Sequence, residues 1–482
     1  MISRVAAIVS LVALLAGHAF AQTPATPPVA AGQTPPAAAT SAAALPAPAA
    51  LAKPYALPYV RQFPTVPSPV TLTPDRAATL AVERSTDTAL AQQGVCSALG
   101  FLRQAEALNK LTVSLTAALT HTGPGSTVTL PGTTDTITFT PTESHRESLS
   151  VTLPLYLSGR DAYSRRAARA QVEAAADNVQ AAILTVAFSA RQAIYGLLRL
   201  QALVLVDQQN VTALAEHLRI TQAMFDAGTS PRFEVVQAET NLASAKGDVI
   251  RDQTAVDIAK ASLAALLSLP QGSEITVEEG VPLAVPEGDI YKLIDTAVQQ
   301  RPEIQEGLAL IRAQEANVRL AQAGNKPEVD LQGVFNNQTA SLASLGQNWT
   351  LSLGLNWPLY QGGLVQGQVQ VARAALESAR LNLESTTQTV ALRVVQAGGT
   401  VADARQALAV AEQGVVNAQE RARIAEVRFQ NGVGLGVEVL DAQTSLADAQ
   451  TKVINSTFAL QTAIATLRSA MGISDLAKEP AS

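Results

Sequence analysis

The chain repeats itself at a fixed offset, and that constrains its fold more than any other feature. At an offset of 204, Pro154 meets Pro358, Tyr156 meets Tyr360, Gly159 meets Gly363, Glu173 meets Glu377 and Asn178 meets Asn382. FDAGTSPRFEVVQAETNLASA (225–245) meets FQNGVGLGVEVLDAQTSLADA (429–449), and Leu263 meets Leu467. A second register, offset by 216, covers the earlier part of each copy: Ala81-Val82 meets Ala297-Val298, and NKLTVSL (109–115) meets NKPEVDL (325–331). The two offsets differ by 12 residues, which fall between Leu115 and Pro154, so one loop is longer in the first copy. Whatever supersecondary unit this chain forms, it forms twice.

Each copy has the same order: a helix (about 74–107, then 289–323), two strands joined by a polar loop, a very long helix, a glycine turn and a second long helix. No proline occurs from Gly159 to Ser230 or from Gln361 to Glu479. A helix over 160–225 would span about 100 Å at ~1.5 Å per residue, far beyond the usual 8 to 20 residues. The runs are alanine-rich with short heptad stretches such as Leu376, Ala379, Leu383 and Val390, which suits close interhelical packing. A free coiled coil would need longer leucine or isoleucine seams.

The strands alternate with period two. In 349–357, Trp349, Leu351, Leu353, Leu355 and Trp357 alternate with Thr350, Ser352, Gly354 and Asn356. Leu149, Val151, Leu153 and Leu155 alternate with Ser148, Ser150, Thr152 and Pro154; 111–120 behaves likewise, and 329–336 more weakly. A half-buried strand of a soluble protein shows the same pattern. The tryptophans favour a membrane wall: both lie on one face of one strand, about 26 Å apart at ~3.3 Å per residue. An outer-membrane barrel has an apolar band roughly 25 Å tall between aromatic girdles. Four strands cannot close such a barrel, and open edges in lipid leave backbone groups unsatisfied. The chain is therefore expected to assemble with itself, three copies giving 12 strands.

Residues 1–21 (MISRVAAIVSLVALLAGHAFA) read as a signal peptide, with Arg4 at the charged start and Ala19-Phe20-Ala21 before the cleavage site. Residues 22–70 are rich in proline and alanine and read as a disordered or partly polyproline spacer with no assigned role. Thr73, Pro74 and Asp75 then suit a helix start. The 482 residues carry a net charge of −6 without a basic stripe, which argues against nucleic acid as a partner. There is no Walker A loop, no G-x-S-x-G elbow and no zinc-like Cys/His spacing. The glycines 432, 434 and 436 lie between helices rather than after a strand, which rejects a nucleotide site. No enzyme, cofactor or metal is expected. His18, His121, His145 and His217 are scattered and read as surface residues, and Cys96 as a small buried or half-buried helix residue.

Taken with the duplication, the LPLYLSG (153–159) and WPLYQGG (357–363) phrases and the two F..G......V..A...L..A turns give the chain a specific likeness. Over about residues 71–475 it resembles the TolC-like outer-membrane factors, the trimeric exit ducts of efflux pumps and type I secretion systems. The resemblance implies a mainly α fold with membrane β: four strands per protomer in a trimeric 12-stranded barrel, continued by a long α-helical barrel across the periplasm. The implied organisation is a first repeat over 71–268, an equatorial linker over 269–288, a second repeat over 289–472 and a short tail over 473–482. A periplasmic adaptor protein and an inner-membrane transporter (RND, ABC or another class) would be the partners, alongside outer-membrane lipid. The exported substrate and the resting state of the gate are not legible. The alternative is a periplasmic coiled-coil adaptor or structural protein without a pore.

The likeness also assigns residues. Pro154, Gly159, Pro358 and Gly363 become strand-to-helix hinges, and Trp349, Trp357, Tyr156 and Tyr360 the aromatic girdle. Gly228, Thr229, Gly432 and Val433 become tip turns that meet the adaptor. Glu438 and Asp441, three apart on one helical face, match acidic positions lining the periplasmic entrance of such ducts, with Glu234 and Gln237 as their first-copy equivalents. Positions where the family's closed state can use a tyrosine and an arginine hold Phe429 and Gly434, so those bonds are expected to be absent. In the first copy RSTDTAL (84–90) replaces the family's asparagine–proline pair, whereas the second keeps RPEI (301–304).

Overall fold

The computed structural model describes residues 69–474 and 476, except 124–126, 130, 133–135, 139–142, 271 and 340–344. The expected signal peptide, nearly all of the spacer and the end of the tail lie outside the described residues. In chain order the elements are β1 (Val70–Leu72), α1 (Pro74–Arg84), α2 (Thr86–Ala107), β2 (Thr112–His121), β3 (Thr127–Thr129), β4 (Thr136–Thr138), β5 (Glu143–Tyr156), α3 (Arg160–Asp226) and α4 (Arg232–Leu266). Then follow β6 (Ile275–Val277), α5 (Ile290–Gln300), α6 (Pro302–Gln322), β7 (Glu328–Thr339), β8 (Leu345–Asn356), α7 (Leu364–Gln430) and α8 (Gly436–Ala470).

The duplication is exact in length where the proline-free runs demanded it: α3 and α7 have 67 residues each, α4 and α8 have 35 each. The two cores also correspond. Ala77, Ala81, Val186, Ala190, Leu197, Leu263 and Leu267 pack in the first. Leu293, Ala297, Val390, Val394, Val401, Leu467 and Met471 occupy the matching positions of the second. The match is not complete: Ile194 of the first core corresponds to Gly398, where a Cβ would meet Ile290 Cδ1 at 3.2 Å, so Ile290 fills the space from the other side. The apolar stretch of α3 is long enough to cross a membrane by length and composition, but half of it is buried inside the molecule, in the first of these cores.

Each expected leading helix is divided. Ser85 closes α1 through its N–H on the Ala81 carbonyl and opens α2 by accepting from the N–H groups of Asp87 and Thr88. In the second copy Arg301 closes α5 through its N–H on the Ala297 carbonyl, and α6 opens without a side-chain cap, on Pro302 at its first position. A side-chain cap thus produces in one copy the break that a proline produces in the other. The helix start at Thr73 is as read: its hydroxyl accepts from Arg76 N–H, with Pro74 and Asp75 following. Val70 belongs to β1, which pairs in parallel with β6 (Val70 opposite Ile275), so the folded part begins inside the stretch read as spacer. Arg191 of α3 ties the start of α1 to the chain beyond α8, through Asp75 at 3.1 Å and the Ser474 carbonyl at 2.9 Å.

The main sheet is antiparallel in the order β2-β5-β7-β8. Its register sorts the side chains by face. Leu115, Leu149, Phe335 and Trp349 form one row, Val113, Val151, Gly333 and Leu351 the next, and Leu153, Leu331 and Leu353 another. The opposite face carries Thr116, Ser148, Asn336 and Asn348, then Thr112, Thr152, Gln332 and Ser352. There Ser114 and Ser150 hydroxyls bond at 2.6 Å, and Asn336 Nδ2 donates to Asn348 Oδ1 at 3.2 Å. One row beyond Trp349 the apolar face turns polar, with Glu147, Asn337 and Gln347. The outer strands leave this apolar face uncovered, with Leu115, Leu119, Trp349, Leu353 and Leu355 exposed.

The two proline phrases are not equivalent. Pro358 and Trp357 lie beyond the end of β8 at Asn356, whereas Pro154 lies inside β5. There the ladder to β2 has already stopped at Thr152, so one side of Pro154 carries no strand. A register shift between Pro154 and Tyr156 places Tyr156 opposite Val329, on the apolar face. Gly159 (φ 84°) and Gly363 (φ 89°) then precede α3 and α7 in the left-handed region, where glycine alone is unstrained.

Candidate functional site

The ends of the two long hairpins are built alike. Gly228 N–H bonds to the Phe225 carbonyl at 2.9 Å and Thr229 N–H to Met224 at 2.9 Å; Gly432 bonds to Phe429 at 2.9 Å and Val433 to Arg428 at 3.0 Å. This crossed pair requires a left-handed residue after the helix, and Gly228 (φ 76°) and Gly432 (φ 72°) supply it. The Thr229 hydroxyl adds a bond to the Met224 carbonyl. Phe233, Val433, Leu435 and Val437 are exposed at the two tips.

The acidic residues at the tips differ in their engagement. Glu438 on α8 meets Arg428 on α7 at 3.3 Å, which ties the second hairpin across its turn. Asp441 is exposed, one helical turn further on. Glu234 accepts from the Ser230 hydroxyl at 2.8 Å, and Gln237 Nε2 donates to Asn241. Gly434 is closely approached: a Cβ there would lie 3.0 Å from Arg428 Cβ, and its N–H bonds to the Arg428 carbonyl. Phe429, 4% exposed, packs its ring against His217 of α3 with centroids 5.3 Å apart.

His217 corrects the reading of the histidines as surface residues: it is 6% exposed. Leu214, His217 and Thr221, all buried, follow the 3–4 spacing of a helix seam, so the burial was readable from periodicity, though the residue type hid it. Cys96 is exposed, because α2 buries Thr88, Ala98 and Ala105 and turns Cys96 away from that stripe.

Residues 78–268 and 293–473 match the profile of the family described as outer membrane efflux protein, one block in each copy. The chain belongs to that family. Membership places it in the outer membrane, with the long helices in the periplasm. The chain is 26% identical over 281 residues to the probable efflux pump outer membrane protein TtgC of Pseudomonas putida, over 56% of this chain and 57% of that one. It thus spans a little over half the length of the curated relatives it matches. Its fold is that of the outer membrane protein VceC from Vibrio cholerae (TM-score 0.69, 21% identity, 83% of this chain and 96% of that one). It is shared with the CmeC outer membrane channel of Campylobacter jejuni (TM-score 0.69, 18% identity, 83% and 86% covered).

Proposed function

We propose that this protein is the exit duct of an export system, a tripartite efflux pump or a type I secretion system. Three copies close a 12-stranded barrel in the outer membrane, and their paired helices continue it across the periplasm. The observation that carries the reading is the sheet with two dissimilar faces and two edges that are unpaired among the described residues, joined at Gly159 and Gly363 to helices of about 100 Å. Lipid offers no partner to the backbone of β2 and β8, so each edge pairs with a neighbouring copy. The apolar face then meets lipid, and the serine, threonine and asparagine face lines a water-filled lumen.

The duct performs no chemistry. Solute passes along the lumen, and the driving energy comes from an inner-membrane transporter coupled through a periplasmic adaptor. The adaptor meets the tips at Gly228, Thr229, Gly432 and Val433, where the neighbouring Phe233 and Leu435 offer apolar surface. The tips form the periplasmic entrance. Asp441 from each copy supplies a ring of negative charge that favours cations. Glu438, held by Arg428, adds less than a free acid would. The first-copy tip contributes Glu234 but the uncharged Gln237, so the two halves are unequally charged.

The test is fractionation of cells expressing the full chain, with gel migration before and after heating. The reading requires an outer-membrane species that runs as a trimer unheated and as a monomer after boiling. A soluble, monomeric mature protein would exclude a duct.

A further inference from the structure

His217 lies nine residues before the end of α3, and its ring joins the long helix of the first copy to Phe429 on the long helix of the second. One helical turn on, Thr221 is 1% exposed and its hydroxyl donates to the His217 carbonyl at 2.9 Å. Nδ1 has no hydrogen-bond partner. A neutral imidazole can leave one nitrogen unpartnered at modest cost. An imidazolium carries N–H on both nitrogens, and here one would be a charged donor buried without an acceptor. The second copy has Arg421, exposed, at the matching position. The buried histidine is therefore no part of the repeated framework; it belongs to the seam between the two hairpins.

The charged groups around it come from each neighbouring helix. On α3, Glu216 is engaged by Arg219 at 2.6 Å. Glu426 on α7 and Glu234 on α4 act on the imidazole, and Glu438 on α8 is turned to Arg428. Burial lowers the imidazole pKa from its ordinary value, and the two glutamates oppose that without overcoming it.

We propose that His217 is a proton-operated latch at the tip: neutral, it seals α3 against Phe429 of α7, and protonated it breaks that seal and loosens the entrance. The proposal rests on the tips being the duct's periplasmic entrance. Because the packed state prefers the neutral ring, its packing is at full strength above the ordinary imidazole pKa of about 6.5 and weakens as pH falls below it.

The experiment uses the full-length trimer in lipid nanodiscs, with Cys96→Ser and spin labels at Thr229→Cys and Val433→Cys. Distances between labels are measured from pH 7.5 to 5.0, alongside single-channel conductance. The expected result is a distribution that lengthens and broadens with a midpoint below about 6.5, lost in both His217→Phe and His217→Gln. The glutamine variant serves if the phenylalanine variant fails to form trimers. A second acid-range group lies ten residues away on the same helix: Asp207, pushed up to about 6 by burial and by Asp252. Both His217 variants leave it in place, so a transition that survives them overturns the latch, as does a wild-type distribution that does not change with pH. A His217-dependent transition with unchanged conductance would uphold the latch and contradict the entrance.

Discussion

Leu353→Arg and Ser352→Arg place the same charge on adjacent residues of β8, on opposite faces of the sheet. Leu353 is four residues from both Trp349 and Trp357, about 13 Å from each at ~3.3 Å per residue, which puts it at mid-height of the apolar band. It is 68% exposed and stands opposite Leu331. An arginine facing lipid at the midplane costs about 2–4 kcal/mol, so three copies bring about 6–12 kcal/mol to one trimer. Ser352 stands opposite Gln332 on the polar face, so an arginine there enters the aqueous lumen at a cost of about 0.5 kcal/mol or less. The assay is refolding into liposomes, followed by the heat-modifiable trimer fraction across a urea series. Leu353→Arg should give little or no trimer. Ser352→Arg should form it as the wild type does, with reduced cation conductance. Equal losses in both variants, or tolerance of Leu353→Arg, would refute the assignment of faces.

The two glycine hinges give a paired test. Alanine at Gly159 or Gly363 forces a left-handed residue worth about 1–2 kcal/mol of strain, but at Gly159 the new methyl also meets the Tyr163 ring at 3.3 Å, whereas nothing lies within 4 Å at Gly363. Thermal dissociation of the trimer should therefore fall further for Gly159→Ala; equal shifts would contradict the local geometry. At the tip, Glu438→Gln/Asp441→Asn in planar bilayers should lower cation selectivity and relieve block by divalent cations. Asp441→Asn alone should produce most of that change, since Glu438 already shares its charge with Arg428. Unchanged selectivity in the double variant would remove the acidic ring.

The sequence made the plan legible because its strongest regularities are physical constraints on the backbone. Proline-free runs announced the two long helices, the one expected over 160–225 is observed over Arg160–Asp226, and period-two alternation found the four strands of the main sheet. What it hid depends on side-chain geometry or distant partners. The break at Ser85 carries no proline and arises from a hydroxyl cap. Pro154 looked like Pro358, yet it sits within β5 because the ladder to β2 ends two residues earlier. The pairing of β1 with β6 joins segments about 200 residues apart, and neither strand exceeds three residues. At the tip the glycine turns were readable from residue type alone. The Arg428–Glu438 pair was not, because it depends on how neighbouring helices are placed, and the burial of His217 on the Leu214–Thr221 seam was masked by its residue type.

The depth of the tryptophans in the assembled trimer decides whether the sheet faces lipid. Single-tryptophan variants retaining Trp349 or Trp357, and a third carrying only Leu353→Trp, are reconstituted with lipids brominated at graded depths. Trp349 and Trp357 should be quenched most by bromines near the headgroups, one at each interface, and the tryptophan at 353 by bromines near the bilayer centre. If none of the three is quenched at any depth, the sheet does not face lipid and the protein is not an outer-membrane duct.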